Sequence, residues 1–337
     1  MQDTPTLFGL TLHPYGLGIA AAALLQLALM QFFSRRRKLP AGFVLLFGVL
    51  AIPFGLFFAR LLFCLFNISL FTETYENPWL MLRFFDGGLS MSGLILGIFL
   101  AAFATSRILK IAYAPFLDLV TLPLGLFLGI CRAAECFTEL GAGKIWGEGF
   151  LTQYVPWLFL TESAGISTEY RLAVYGYEAV CGILIFLCML CMARRTQKHP
   201  LAQPGDSSLL FMALYGSTQV LWESMRDDGH LLLTFLRVAQ VFAFLMPILA
   251  ALVFSKRHAR TRSKMNATLW LAWSVLFLCM ASLVLLEFSL DGRFSWGIPS
   301  LSRDYILMLI VCALLFFLPY SLWRTVTRPA DSTPSKG

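Results

Sequence analysis

Apolar residues occupy long continuous blocks of this chain, without the one-sided 3.6-residue stripe of a soluble helix or the alternation of a half-buried strand. A block of about 20 apolar residues, rising 1.5 Å per residue, crosses the hydrocarbon core of a bilayer as a helix. The pattern predicts nine such helices, over about 16–33, 41–66, 89–105, 112–131, 174–193, 209–225, 231–254, 269–288 and 305–323. Two connections are long, 67–88 and the 41-residue segment 132–172. Trp146, Phe150, Tyr154, Trp157 and Phe159 make the second too aromatic for a disordered loop, which predicts an ordered lid or interfacial segment.

Composition narrows the class. Hydrophobic residues make up 58% of the 337 and charged residues only 13%, about half the usual share in a soluble domain. Too few polar residues are present to cover a soluble surface, so the expected fold class is all-α, a polytopic integral membrane protein with the lipid bilayer as its solvent.

The net charge of +7 does not point to nucleic acid, because the cations form no stripe interleaved with aromatics; they collect at the ends of apolar blocks. Arg35 to Lys38, Arg107 and Lys110, Arg194 to Lys198, Lys256 to Lys264 and Arg324 fall on alternate connections. The positive-inside rule then predicts an external N-terminus and a cytoplasmic C-terminus. Met1 to His13 lacks a basic n-region, so the first helix is expected to be an anchor and not a cleaved signal. Cys188 and Cys191 have metal-like spacing but lie within an apolar block with no partner His or Cys beside them. Packing is the expected role, and neither a metal nor another cofactor is expected.

Several ionisable residues fall at membrane depth: Arg60, Asp118, Glu178, Glu223 and Arg226. Each costs roughly 2.5–3.5 kcal/mol at a helix centre, so they are expected to face a shared polar cavity. Interhelical pairs that serve only packing, such as Arg60 with Glu223 or Glu178, are the alternative. Glu223 and Arg226, three apart, share a helix face. Arg226 then stands at the outer helix end, where its guanidinium can meet a lipid phosphate with two parallel hydrogen bonds.

Seven short motifs follow in order: Leu12-His13-Pro14-Tyr15-Gly16-Leu17, Ala59-Arg60-Leu61, Phe85-Asp86-Gly87-Gly88-Leu89-Ser90, Gly129 to Arg132, Gly143 to Gly147, Arg171 with Tyr177-Glu178, and Tyr215-Gly216 with Glu223 to Arg226. Together, over roughly 12–254, they resemble the prolipoprotein diacylglyceryl transferase family. The resemblance implies an enzyme of the bacterial cytoplasmic membrane that moves the diacylglyceryl group of phosphatidylglycerol onto the lipobox cysteine of a prolipoprotein signal peptide and releases glycerol 1-phosphate. It implies a seven-span domain over 1–254. The remainder, 255–337, then holds a basic cytoplasmic loop, an additional transmembrane hairpin and a disordered tail.

As catalytic residues it implies Tyr15, Arg132 and Arg226, the two arginines neutralising the phosphodiester. Its substrate-binding set is Arg60, Asp86, Gly87, Gly88, Ser90, Ser92, Gly93, Trp146, Gly147, Glu178 and Glu223. The chain departs from the family pattern in three places. Ser92 stands where the family has a signature histidine, Glu135 and Thr138 where it has asparagines, and Gln219 where it has an arginine. A serine cannot act as a base of near-neutral pKa, so Glu135 or Glu139 is expected to accept the thiol proton. A binding protein or transporter that has lost catalysis on the same scaffold is the other reading.

Overall fold

The computed structural model describes residues 6–7, 10–11, 13–35, 39–40, 42–74, 77–83, 87–138, 140–164, 167–227, 232–233, 236–262, 267–293 and 301–327. The predicted Asp86 and Glu139 lie outside them, as does the tail beyond 327. Helices are α1 (Pro14–Ser34), α2 (Phe43–Phe66), α3 (Met91–Ile108), α4 (Tyr113–Ala134), the short α5 (Phe150–Tyr154), α6 (Val174–Lys198), α7 (Asp206–Met225), α8 (Val238–Arg262), α9 (Ala267–Leu290) and α10 (Leu301–Thr327). Strands are two-residue β1 (Thr6–Leu7) and β2 (Leu10–Thr11), then β3 (Ala142–Trp146), β4 (Phe159–Ala164), β5 (Ser167–Ala173), and two-residue β6 (Leu232–Leu233) and β7 (Leu236–Arg237).

Among the described residues, eight helices are long and apolar enough to cross a membrane. The expectation of nine is corrected at α7. That helix forms where it was predicted but falls outside this set, because it carries Ser207, Ser208, Thr218, Gln219, Glu223 and Ser224. Fourteen of its 20 residues are buried, so protein surrounds it where lipid would surround an ordinary span. On one side it joins the core built by α1 to α4 and α6, through Phe211 and Tyr215. On the other, Leu210, Ala213, Val220 and Leu221 pack with α8, α9 and α10.

Small residues let the helix backbones approach, as van der Waals contact demands when lipid supplies no hydrophobic drive between helices. A Cβ on Gly182 of α6 would lie 2.5 Å from the Cα of Gly129 on α4. The start of α7 is fixed by a carboxylate from another helix. Asp118 of α4 accepts from Gly205 N at 2.7 Å, Ser208 N at 2.8 Å and Ser208 Oγ at 2.7 Å. These are the amide groups that a helix N-terminus leaves open, so the membrane-depth Asp118 holds structure.

The described residues of the long 132–172 connection are ordered, as the aromatic content predicted. They include a three-stranded antiparallel sheet, order β3-β5-β4, with Phe159 opposite Leu172 and Glu162 opposite Glu169. The C-terminal hairpin α9–α10 packs through α10 on α7 and α8. The boundary expected between 254 and 255 falls inside the continuous α8, whose Arg257 pairs with Asp206 at the head of α7.

Candidate active site

The end of α4, the beginning of α6 and the end of α7 bring five charged side chains into one buried cluster. Arg132 donates from Nη1 to Glu135 Oε1 at 2.7 Å and from Nη2 to Glu223 Oε1 at 3.4 Å, with its Nε 3.3 Å from Glu178 Oε1. Arg226 donates from Nη1 to Glu178 Oε2 at 2.6 Å and from Nη2 to Glu135 Oε2 at 3.0 Å. Glu135 and Glu178 are therefore each shared by both guanidiniums. Arg226 is 1% exposed and Arg132 6%, so solvent screens these contacts little.

Local structure explains the arrangement. Arg226 follows the last residue of α7, and its backbone leaves the helix to form a bridge with Gly143 of β3, while Asp227 N donates to Ala142 O at 2.9 Å. A Cβ on Gly143 would lie 2.7 Å from Leu172 Cβ and 2.9 Å from Met225 O, so only glycine admits this contact. The sheet thus pins the arginine from outside the helix bundle. In the middle of β3, burial pushes the Lys144 ammonium below the ordinary lysine range, against the opposing pull of Glu287 and Asp291.

Gln219 completes the cluster. Its Nε2 donates to Glu178 Oε1 at 2.6 Å and to Glu223 Oε1 at 3.1 Å, so a neutral amide bridges the two carboxylates where the sequence resemblance implies an arginine. The cluster then contains three carboxylates and two guanidiniums. Sequence reading noted Gln219 only as a missing charge; its spacing of four residues before Glu223 was the available sign that it shares that face.

Two further predicted residues join this group. Tyr15, on the first turn of α1, is close enough to feel the charges of Glu135, Arg132 and Arg226. Ser92 lines a narrow cavity of about 10 Å³ with Tyr215, Gln219 and Glu223. Tyr215 entered the sequence reading as part of a motif and was given no role; it lies within electrostatic range of Arg132, Glu178 and Glu223.

The remaining predicted residues lie elsewhere. Arg60 does not pair with Glu223 or Glu178. It donates to backbone carbonyls in the described parts of the 77–90 loop: Leu80 at 2.7 Å, Met81 at 3.0 Å, Gly87 at 2.5 Å and Gly88 at 3.4 Å. Its guanidinium also lies over the rings of Phe63 and Phe71. The expectation that Arg60 faces a cavity shared with Glu178, Glu223 and Arg226 is corrected, and so is the alternative pairing, because α2 packs mainly on α3, which turns Arg60 toward the loop beside it.

Gly87 and Gly88 adopt left-handed φ values of 80° and 64° in that loop. Ser90 caps α3 by accepting from Gly93 N at 3.4 Å, and Gly93 lets the backbone of α3 close on the Phe58 carbonyl of α2. These residues position the first turn of α3, and with it Ser92. Trp146 packs against Phe159 with ring centroids 6.3 Å apart, and Gly147 is exposed.

Comparison with known proteins covers the stretch that holds these residues. A family model described as prolipoprotein diacylglyceryl transferase matches residues 5–256. A phosphatidylglycerol–prolipoprotein diacylglyceryl transferase of Symbiobacterium thermophilum is 29% identical over 248 residues, 73% of this chain and 88% of that protein. Its namesake in Clostridium novyi is 26% identical over 257 residues, 76% of this chain and 96% of that protein. That of Pediococcus pentosaceus is 26% identical over 256 residues, 75% and 90% respectively. With three-quarters of its length covered by the family model and the charged cluster built wholly within that stretch, the chain belongs to the prolipoprotein diacylglyceryl transferase family.

Proposed function

We propose that this multi-pass membrane protein transfers the diacylglyceryl group of phosphatidylglycerol to the lipobox cysteine of prolipoproteins at a bacterial cytoplasmic membrane. The cysteine sulfur forms a C–S bond to the diacylglyceryl glycerol, the C–O bond to phosphate breaks, and glycerol 1-phosphate leaves with the electron pair. The observation that carries this reading is the buried Arg132–Glu135–Glu178–Glu223–Arg226 cluster at three helix ends. Two guanidiniums offer charge to a phosphodiester as negative charge grows on its leaving oxygen. Carboxylates beside them offer an acceptor for the proton that the thiol must lose to become nucleophilic.

Glu135 is the acceptor assigned here, since it touches both arginines and follows α4 at the end from which the thiol approaches. Arg60 and the loop it ties down act by positioning α3. The distribution of cationic connections supports an external position for the cluster, where lipid headgroups and the exported signal peptide meet.

Membranes carrying this protein as their only transferase test the assignment: labelled phosphatidylglycerol and a lipobox peptide yield a labelled thioether peptide. No conversion above membranes lacking the protein would overturn it. Rescue of a strain depleted of its own transferase separates turnover from binding alone.

A further inference from the structure

A second polar site lies at the opposite end of the bundle. The C-terminal end of α6 and the last turns of α10 border an open cavity of about 510 Å³, lined by Arg195, Lys198, His199 and Arg324 together with Tyr320 and Trp323. Its lining contains no carboxylate among the described residues. The nearest acidic group on α7, Asp206, is already engaged by Arg257, by Trp323 Nε1 at 3.0 Å and by Gln203 N at 3.0 Å. Arg195 donates to the Tyr320 hydroxyl at 3.3 Å, which ties the family core to the added helix across the cavity. His199 sits edge-on to Trp323 with ring centroids 6.3 Å apart, and its Nδ1 is buried with no hydrogen-bond partner.

This cavity is separate from the charged cluster. From Glu178 to Arg195, α6 rises about 26 Å at 1.5 Å per residue, most of a bilayer core. Half of the cavity comes from α10, which the family match ending at residue 256 does not reach. The family's reaction therefore does not account for it.

We propose that the cavity binds a phosphate group on the cytoplasmic side of the membrane. Uncompensated like charges repel one another, so three exposed cations and a histidine gathered without a carboxylate gain most from an anion. The two guanidiniums suit the paired oxygens of a phosphate, and Lys198 adds a compact charge. The volume exceeds that of a phosphate and has an aromatic wall, which suits a headgroup with its glycerol. A basic pocket between helices at the cytoplasmic face meets anionic lipid headgroups there, while the cytosol offers free phosphate. An occupant would join α6 to α10 and hold the hairpin against the core.

Titration of the full-length protein in detergent with dioctanoyl phosphatidic acid, dioctanoyl phosphatidylcholine and inorganic phosphate tests this, read by native mass spectrometry and by the thermal midpoint. The comparison is with an Arg195→Gln, Lys198→Gln, Arg324→Gln triple variant. Because phosphatidic acid can also reach the arginine cluster, the quantity that counts is the binding lost in this variant. The expected result is a saturable phosphatidic acid site weakened about tenfold or more by the triple change, with phosphatidylcholine binding no better than to the variant.

A stronger response to inorganic phosphate than to phosphatidic acid, lost in the same variant, supports the phosphate site and assigns it to the soluble ion. Equal phosphatidic acid binding by both proteins, or equal binding of the two lipids by the native protein, overturns the proposal. Arg324→Glu alone is the second variant if the triple one does not fold, and binding that survives this reversal of charge overturns the proposal equally.

Discussion

Glu135 stands where the sequence resemblance implies asparagine, and both arginines contact it as they contact Glu178. An amide there would accept hydrogen bonds from the guanidiniums but could not take a proton. If Glu135 is the base, Glu135→Gln lowers the rate of transfer by roughly 10²-fold or more, with little change in the KM for phosphatidylglycerol; an unchanged kcat would return the role to another group. Arg226→Ala leaves Glu178 and Glu135 each short of a partner in a buried setting. A loss of roughly 3–5 kcal/mol is the usual consequence of such a cut, measurable as a lowered thermal midpoint in detergent. Arg226→Lys does not restore it, since one ammonium cannot meet two carboxylates with the forked geometry of a guanidinium.

Among the secondary-structure elements, apolar run length was readable from sequence because a span must match a bilayer of fixed thickness, and all nine long helices formed close to their predicted positions. Partner identity was harder to read. Arg60 and Glu223 both lie at membrane depth, and only the pairing of α2 with α3 decides that Arg60 turns to loop carbonyls. The same holds for Gln219, whose role as a double donor depends on α6 presenting Glu178 across from it. Gly182 illustrates how tightly these pairings are set. Gly182→Val inserts side-chain atoms where α4 and α6 touch backbone to backbone. It should cost roughly 1–3 kcal/mol or more and reduce the yield of folded protein in fluorescence-detected size exclusion; a normal profile would mean that the two helices separate easily.

Across the whole molecule, the added hairpin is integrated with the core. Tyr305 of α10 donates to Ser224 O at 3.3 Å, two residues before Arg226, and Trp323 reaches Asp206 at the other end of the same helix. Ending the chain after residue 262 removes both contacts and uncovers a face of α7. The thermal midpoint is expected to fall by roughly 5 °C or more, and transfer activity with it. Retention of both would show that the hairpin only adheres to a self-sufficient core.

The polarity of α7 also bears on how the protein is made. A segment with Gln219, Glu223 and four serines has a weak partition into lipid by itself, yet it ends up packed against α4, α6, α8 and α10. It must therefore enter the membrane in the company of neighbours already synthesised, α4 and α6 in particular, and wait for α8 and α10 to close around it. In a glycosylation-reporter insertion assay, 206–225 placed alone in a host protein should be translocated past the membrane, while the same segment preceded by 113–198 is retained. The helix that ends at Arg226 would then be the one the export machinery cannot recognise alone.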